Sequence, residues 1–81
     1  MPQTLTIYST SWCGYCHRLM KQLDRAGIDY TAVDIERDPA AAEYVVQVNG
    51  GTRTVPTVVF ADGTALTNPS AARVTEQLAG G

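Results

Sequence analysis

The sequence predicts an α/β fold: a four-stranded mixed sheet flanked by three helices, in the order βαβαββα. Three observations carry that prediction. Apolar residues recur every second position in some stretches and every three to four in others. Turn and cap signals fall between these stretches, at Asp38-Pro39, Asn49-Gly50-Gly51, Asp62-Gly63 and Asn68-Pro69. The length of 81 residues leaves room for one modest core, so residues 1–81 are expected to form a single domain.

The first strand is expected at Thr4 to Ser9, with Leu5 and Ile7 on one face by the period of two. Thr10-Ser11-Trp12 then connects to a helix over about Gly14 to Ala26. In this helix Cys16, Leu19, Met20 and Leu23 recur at i, i+3, i+4 and i+7, an inward stripe, and Cys13 lies off it. His17, Arg18, Lys21 and Gln22 take the outer face, and Gly27 suits the left-handed position past the end. Asp29 to Ile35 reads as a second strand, completing a βαβ unit with parallel strands. Asp38-Pro39 is a cap followed by a proline at the first helical position, and Asn49-Gly50-Gly51 is a stop. Between them Ala40 to Val48 should be helical despite three valines, with Ala41, Tyr44, Val45 and Val48 facing inward. Thr57 to Ala61 forms a third strand, and Asp62-Gly63 turns it into a fourth at about Thr64 to Leu66. Asn68-Pro69 repeats the cap signal for a last helix, Ser70 to Ala79, with Ala71, Val74 and Leu78 inward.

Composition narrows the function classes. Apolar residues at 44% and charged residues at 17% suit a globular chain, and the net charge of −2 points away from nucleic acid. No apolar run approaches membrane-spanning length. Met1-Pro2-Gln3-Thr4 has neither a basic n-region nor an apolar h-region, so no signal peptide and a cytoplasmic location are expected. In a reducing compartment two cysteines three residues apart are more often catalytic or metal-binding than structural.

The two cysteines stand in Trp12-Cys13-Gly14-Tyr15-Cys16, at the first strand-to-helix junction. Positions i and i+3 share a helix face, so the two sulfurs can close a small disulfide or reopen it. Cys13, at the helix start, meets free backbone N–H groups and the positive end of the helix dipole, which favour its thiolate. Cys16 is on the inward stripe and shielded. These positions make Cys13 the candidate nucleophile and Cys16 the candidate resolving thiol. The spacing alone leaves other readings open. The pair could be two buried structural cysteines, or half of a zinc site, which needs about four ligands where this chain has two cysteines and one histidine. With His17 it also matches the CxxCH pattern of covalent haem attachment.

An early CxxC followed by a distant Thr54-Val55-Pro56 before the third strand resembles the thioredoxin superfamily and its thioredoxin fold. The shortness of the chain and the Cys-x-Tyr-Cys motif are similar to its glutaredoxin branch. Ser11-Trp12-Cys13-Gly14-Tyr15-Cys16, Val48-Asn49-Gly50-Gly51, Arg53-Thr54-Val55-Pro56-Thr57-Val58, Phe60-Ala61-Asp62-Gly63 and Leu66-Thr67-Asn68-Pro69-Ser70 resemble, more narrowly, the mycoredoxins, the mycothiol-linked glutaredoxins of actinobacteria.

The resemblance implies a cis Val55–Pro56 bond beside the cysteines, with the Val55 backbone presented to the incoming substrate like a short strand. It implies that Tyr15 flanks the bound thiol and that Trp12 shapes the surface where a protein docks. Glutathione-specific members typically carry Gly-Gly and then Asp before the last helix. Here Thr67-Asn68-Pro69-Ser70 stands instead, which makes Thr67 and Asn68 candidate thiol-binding residues and suits a different thiol. The implied activity is reduction of mixed disulfides between proteins and mycothiol by a monothiol route through Cys13. The partners are then mycothiolated proteins, mycothiol as co-substrate and a disulfide reductase. No bound metal or organic cofactor, no nucleic acid, no membrane and a monomeric state are expected. A general dithiol electron donor, either glutathione-dependent or served by a flavin reductase, is the alternative within the superfamily. Gly14 replaces the proline of Cys-Pro-Tyr-Cys, and some glutaredoxins with a small residue there bridge a [2Fe–2S] cluster between two monomers, so a cluster carrier is the alternative of another class.

Overall fold

The computed structural model describes residues 5–80, and Thr4, expected in the first strand, lies outside them. The elements are β1 (Leu5–Ser9), α1 (Gly14–Arg25), β2 (Thr31–Asp34), α2 (Pro39–Val48), β3 (Thr57–Phe60), β4 (Ala65–Thr67) and α3 (Ala71–Gly80). The sheet order is β2-β1-β3-β4. β1 pairs parallel with β2 and antiparallel with β3, and β3 pairs antiparallel with β4. The expected order and the mixed sheet are both present, and among the described residues no helix is long and apolar enough to cross a membrane.

Alternation along β1 divides the interior in two. Leu5 and Ile7 join Val58 and Phe60 of β3 against Leu19 and Leu23 of α1 and Val74 of α3. Tyr8 faces the other way and packs with Val33, Ile35 and Val55 against Ala41, Ala42 and Val45 of α2. α1 and α3 therefore cover one face of the sheet and α2 the other. Tyr44, expected inward, is partly exposed, and Ala42 takes the buried place. The small alanines let α2 lie close to the sheet, while the Tyr44 ring leans on Tyr8 with centroids 5.5 Å apart.

Local signals explain the helix ends. The Asp38 carboxylate accepts the Ala41 N–H at 3.2 Å, as a cap residue should. Past α1, Ile28 N–H reaches Leu23 O at 3.0 Å and Gly27 N–H reaches Asp24 O at 3.1 Å, with Gly27 at φ 72°. This is a Schellman ending, and Ile28 and Leu23 share the same core cluster.

The start of α3 differs from expectation. Asn68 is not its cap: its φ is 47°, and its N–H is committed to Pro56 O at 2.7 Å. Ser70 caps the helix instead, its hydroxyl accepting the Arg73 N–H at 3.1 Å. The β3–β4 turn also needs three residues rather than two. Phe60 N–H bonds Thr64 O at 2.8 Å around Ala61-Asp62-Gly63, with Gly63 at φ 91°.

Candidate active site

β1 delivers the chain to a tight turn in which Cys13 N–H bonds Thr10 O at 3.3 Å. Cys13 is the N-cap of α1, with extended backbone, rather than a residue of its first turn. Its carbonyl accepts the His17 N–H at 3.2 Å, opening the helical ladder. Its sulfur does what an oxygen does at ordinary caps, accepting the Cys16 N–H at 3.3 Å. A thiolate at Cys13 would therefore receive a backbone donor and the positive end of α1 together. The turn also recesses the residue. Cys13 was expected off the apolar stripe, yet it is only 5% exposed, because capping swings its side chain in over the helix end.

Cys16 is fully buried. Burial, and then hydrogen bonding to Cys13, push its thiol up to about 12. A group whose pKa rises on folding holds a proton that the unfolded chain releases, so its contribution to stability is complete below about pH 9 and is lost as pH rises toward 12. Thermal melts should show a steeper alkaline fall between pH 9 and 11 in the native chain than in Cys16→Ser. Parallel curves would refute this.

Across from the cysteines the Val55–Pro56 bond is cis, as the resemblance implied. Val55 O stands 3.9 Å from Cys13 Sγ, within reach of the protonated thiol. Exposed aromatics flank the recessed sulfur: Trp12 is 71% exposed and Tyr15 66%. Trp12 and Val55 share a cleft of about 200 Å³ with Thr10, Ile35, Glu36 and Arg53. Tyr15 lines a separate groove of about 310 Å³ that runs to Asn68 and Ser70. Pro56 is buried, and its carbonyl holds Asn68. Thus Cys13, Cys16, Val55, Trp12 and Tyr15 gather at one end of the sheet, with Pro56 and Asn68 joined beside them.

Thr54 and Thr67 enter through a residue that the sequence marked only as a helix stop. The Asn49 amide donates to Thr57 Oγ1 at 3.0 Å and to Thr54 O at 3.4 Å. The Thr67 hydroxyl donates to Asn49 Oδ1. Thr57 Oγ1 in turn donates to Thr54 O at 2.7 Å. Asn49 thereby ties the end of α2 to the loop carrying Val55 and to β4. Its choice over other C-cap residues before Gly50-Gly51 was the one available signal, and it named no partner. His17 likewise falls on the outer face by its spacing, but its Nε2 lies 2.8 Å from Ser11 O and staples α1 to the preceding turn.

These contacts bear on the competing motifs. Among the described residues no three His, Cys, Asp or Glu side chains gather into a possible metal site. Cys16 has no surface on which a haem vinyl group could reach it, and the His17 ring is held by the Ser11 carbonyl. A recessed sulfur at a helix N-terminus, beside an open peptide carbonyl and a protonated second thiol, is instead equipped for thiol–disulfide exchange.

Comparison with known proteins agrees. The Glutaredoxin family model matches residues 5–65. Over 74 residues, 91% of this chain and 88% of the other, it is 64% identical to "Putative glutaredoxin Rv3198A" of Mycobacterium tuberculosis. Over 70 residues, 86% of each chain, it is 51% identical to Mycoredoxin 1 of Corynebacterium glutamicum. The solved glutaredoxin (grx-1) of Archaeoglobus fulgidus superposes with a TM-score of 0.76 at 25% identity, over 91% of this chain and 84% of that one. With its fold, its CxxC junction and its sequence all in agreement, the chain belongs to the glutaredoxin family and is a glutaredoxin-like thiol–disulfide oxidoreductase.

Proposed function

We propose that the chain reduces mixed disulfides between proteins and mycothiol, with Cys13 as the only sulfur that must turn over. The Cys13 thiolate attacks the mycothiol sulfur of the mixed disulfide. The protein–mycothiol S–S bond breaks, and the protein sulfur leaves as a thiolate and takes up a proton. Cys13 now carries mycothiol. A second mycothiol thiolate attacks the mycothiol sulfur of that adduct, releasing mycothiol disulfide and restoring Cys13. A disulfide reductase then recycles the small-thiol disulfide, and no bound metal or organic cofactor takes part.

The observation that carries the monothiol route is the contrast between the two cysteines. Cys16 is fully buried with its thiol pushed up to about 12, whereas Cys13 caps the helix with its sulfur beside the Val55 carbonyl. The choice of mycothiol is supported by the 51% identity to Mycoredoxin 1 and by Thr67-Asn68-Pro69-Ser70 before the last helix. In this reading the Val55 backbone holds the substrate chain, Trp12 meets the protein, and Tyr15, Thr67 and Asn68 stand on the small-thiol side.

The test offers one model peptide capped in turn with mycothiol, glutathione and bacillithiol. Release from the mycothiol cap should be favoured by at least about tenfold in kcat/KM, equivalent to about 1.4 kcal/mol of transition-state discrimination. Equal rates with all three would sink the mycothiol assignment, and a preference for glutathione would make this a glutathione-linked enzyme.

A further inference from the structure

Three of the six Lys and Arg residues in the chain stand on α1: Arg18, Lys21 and Arg25. All three are exposed, and none has a task in the chemistry above. We propose that the outer face of α1 docks the protein part of the substrate and favours proteins whose modified cysteine is flanked by acidic side chains. This role rests on the proposed mixed-disulfide reduction at Cys13, not on which small thiol is used.

The three cations are aligned. At about 100° per residue they fall within about 60° of one another around the helix axis, opposite the buried Leu19 and Leu23. Gly14 lies on the same line, and no atom stands within 4 Å of where its Cβ would be. The stripe therefore begins between the two cysteines, with open space for an approaching chain. At about 1.5 Å of rise per residue, Arg18, Lys21 and Arg25 are about 8, 12 and 18 Å along the axis from Cys13. An extended peptide joined to Cys13 advances about 3.3 Å per residue, so the residues about two to six places from its cysteine can pass them.

Their charge is also left unneutralised. Among the described residues the ion pairs are Arg37–Asp34 and Arg73–Glu76, both away from α1. Asp24, the one acid of α1, lies off the line and beside the Tyr30 phenol. The first turn of α1 holds no acidic residue, so the positive end of the helix dipole adds to the stripe. α2, on the other face of the sheet, starts at Asp38, carries Glu43 and has no cation. A molecule of net charge −2 is thus polarised across its sheet. An acidic segment is drawn to the α1 side and held off the α2 side, which turns it toward Cys13 before contact.

The test compares two peptides with a mycothiol-capped cysteine, flanked on each side by about three Glu residues in one and about three Lys residues in the other. At about 20 mM salt the Glu peptide should be reduced with a kcat/KM at least about tenfold higher. At about 500 mM salt the two should converge, because the screening length falls from about 20 Å to about 4 Å. The Arg18→Gln, Lys21→Gln, Arg25→Gln variant should lose the preference and reduce the Lys peptide at least as fast as the native chain. Glutamine is a good helix former and the positions are exposed, so the variant should fold. The Lys21→Gln, Arg25→Gln variant leaves the groove beside Tyr15 intact and should still lower the preference by about threefold, which separates docking from any effect on the small thiol. The same ratios are expected with a glutathione cap, so the test stands whichever thiol the enzyme uses. Equal rates for the two peptides at low salt, or a preference that the triple variant keeps, overturn the docking face and leave mixed-disulfide reduction standing. No turnover of any capped peptide ends both.

Discussion

Cys13→Ser is expected to lower kcat/KM for mixed-disulfide reduction by at least about 10³-fold, and Cys16→Ser by no more than about threefold. The asymmetry follows from what each sulfur does. A serine hydroxyl does not ionise near neutral pH and forms no stable bond to sulfur, so position 13 loses its nucleophile. The fold should not suffer. Cys13 is the N-cap of α1, its sulfur bonded to the Cys16 N–H at 3.3 Å, and serine is among the preferred residues for that place. Far-UV circular dichroism and the urea midpoint should therefore match the native chain while turnover disappears, which separates chemistry from stability. In Cys16→Ser the hydroxyl replaces a fully buried thiol that is held protonated, so the attacking sulfur keeps its environment. Steady-state assays with a mycothiol-capped peptide read both effects. Substantial turnover by Cys13→Ser would remove Cys13 from the chemistry. Loss of activity in Cys16→Ser equal to that in Cys13→Ser would replace the monothiol route with a dithiol one.

What could be read from the sequence was the part that local rules decide. Asp38 caps α2, Gly27 closes α1 in the left-handed region, and β1 alternates Leu5 and Ile7 against Tyr8. Each depends on residues within a turn or two of one another. The junction of β1 and α1 is equally local, so the cysteine pair could be placed at a helix start without knowing the rest of the chain. The misreadings have two causes, a contact from far along the sequence and a side chain with two possible uses. Asn68-Pro69 carries the same local signal as Asp38-Pro39, but Pro56 O captures the Asn68 N–H, and the cap passes to Ser70. Helical counting puts Cys13 off the inward stripe, but that counting does not apply to a cap residue whose side chain folds back over the helix end. The network of Asn49 joins positions 49, 54, 57 and 67, and no periodicity relates them.

Asn49 accordingly yields the second large effect. Asn49→Ala should destabilise the fold by about 1–3 kcal/mol and raise KM for a mixed disulfide by about 10- to 100-fold, with a smaller change in kcat. The stability cost is unequal between the two ends of the amide. Thr67 is exposed, so water can replace Asn49 Oδ1 as the acceptor of its hydroxyl, and that end is worth little. Thr57 is fully buried, and its oxygen would lose the Nδ2 donor at 3.0 Å with little room for a substitute. The KM effect has the same origin. Thr57 and Asn49 both hold the Thr54 carbonyl, and Thr54 precedes the Val55 backbone assigned to grip the substrate. Two variants divide the claim. Thr67→Val removes only the solvent side and should leave the stability nearly native. Asn49→Asp keeps the acceptor for Thr67 but removes the Nδ2 donor and sets a carboxylate against the Thr54 carbonyl, so it should be at least as impaired as Asn49→Ala. Urea unfolding gives the stability and a substrate titration the KM. If Asn49→Ala loses stability while KM stays native, Asn49 serves the fold alone, and the loop at Val55 is held in its working position by other contacts.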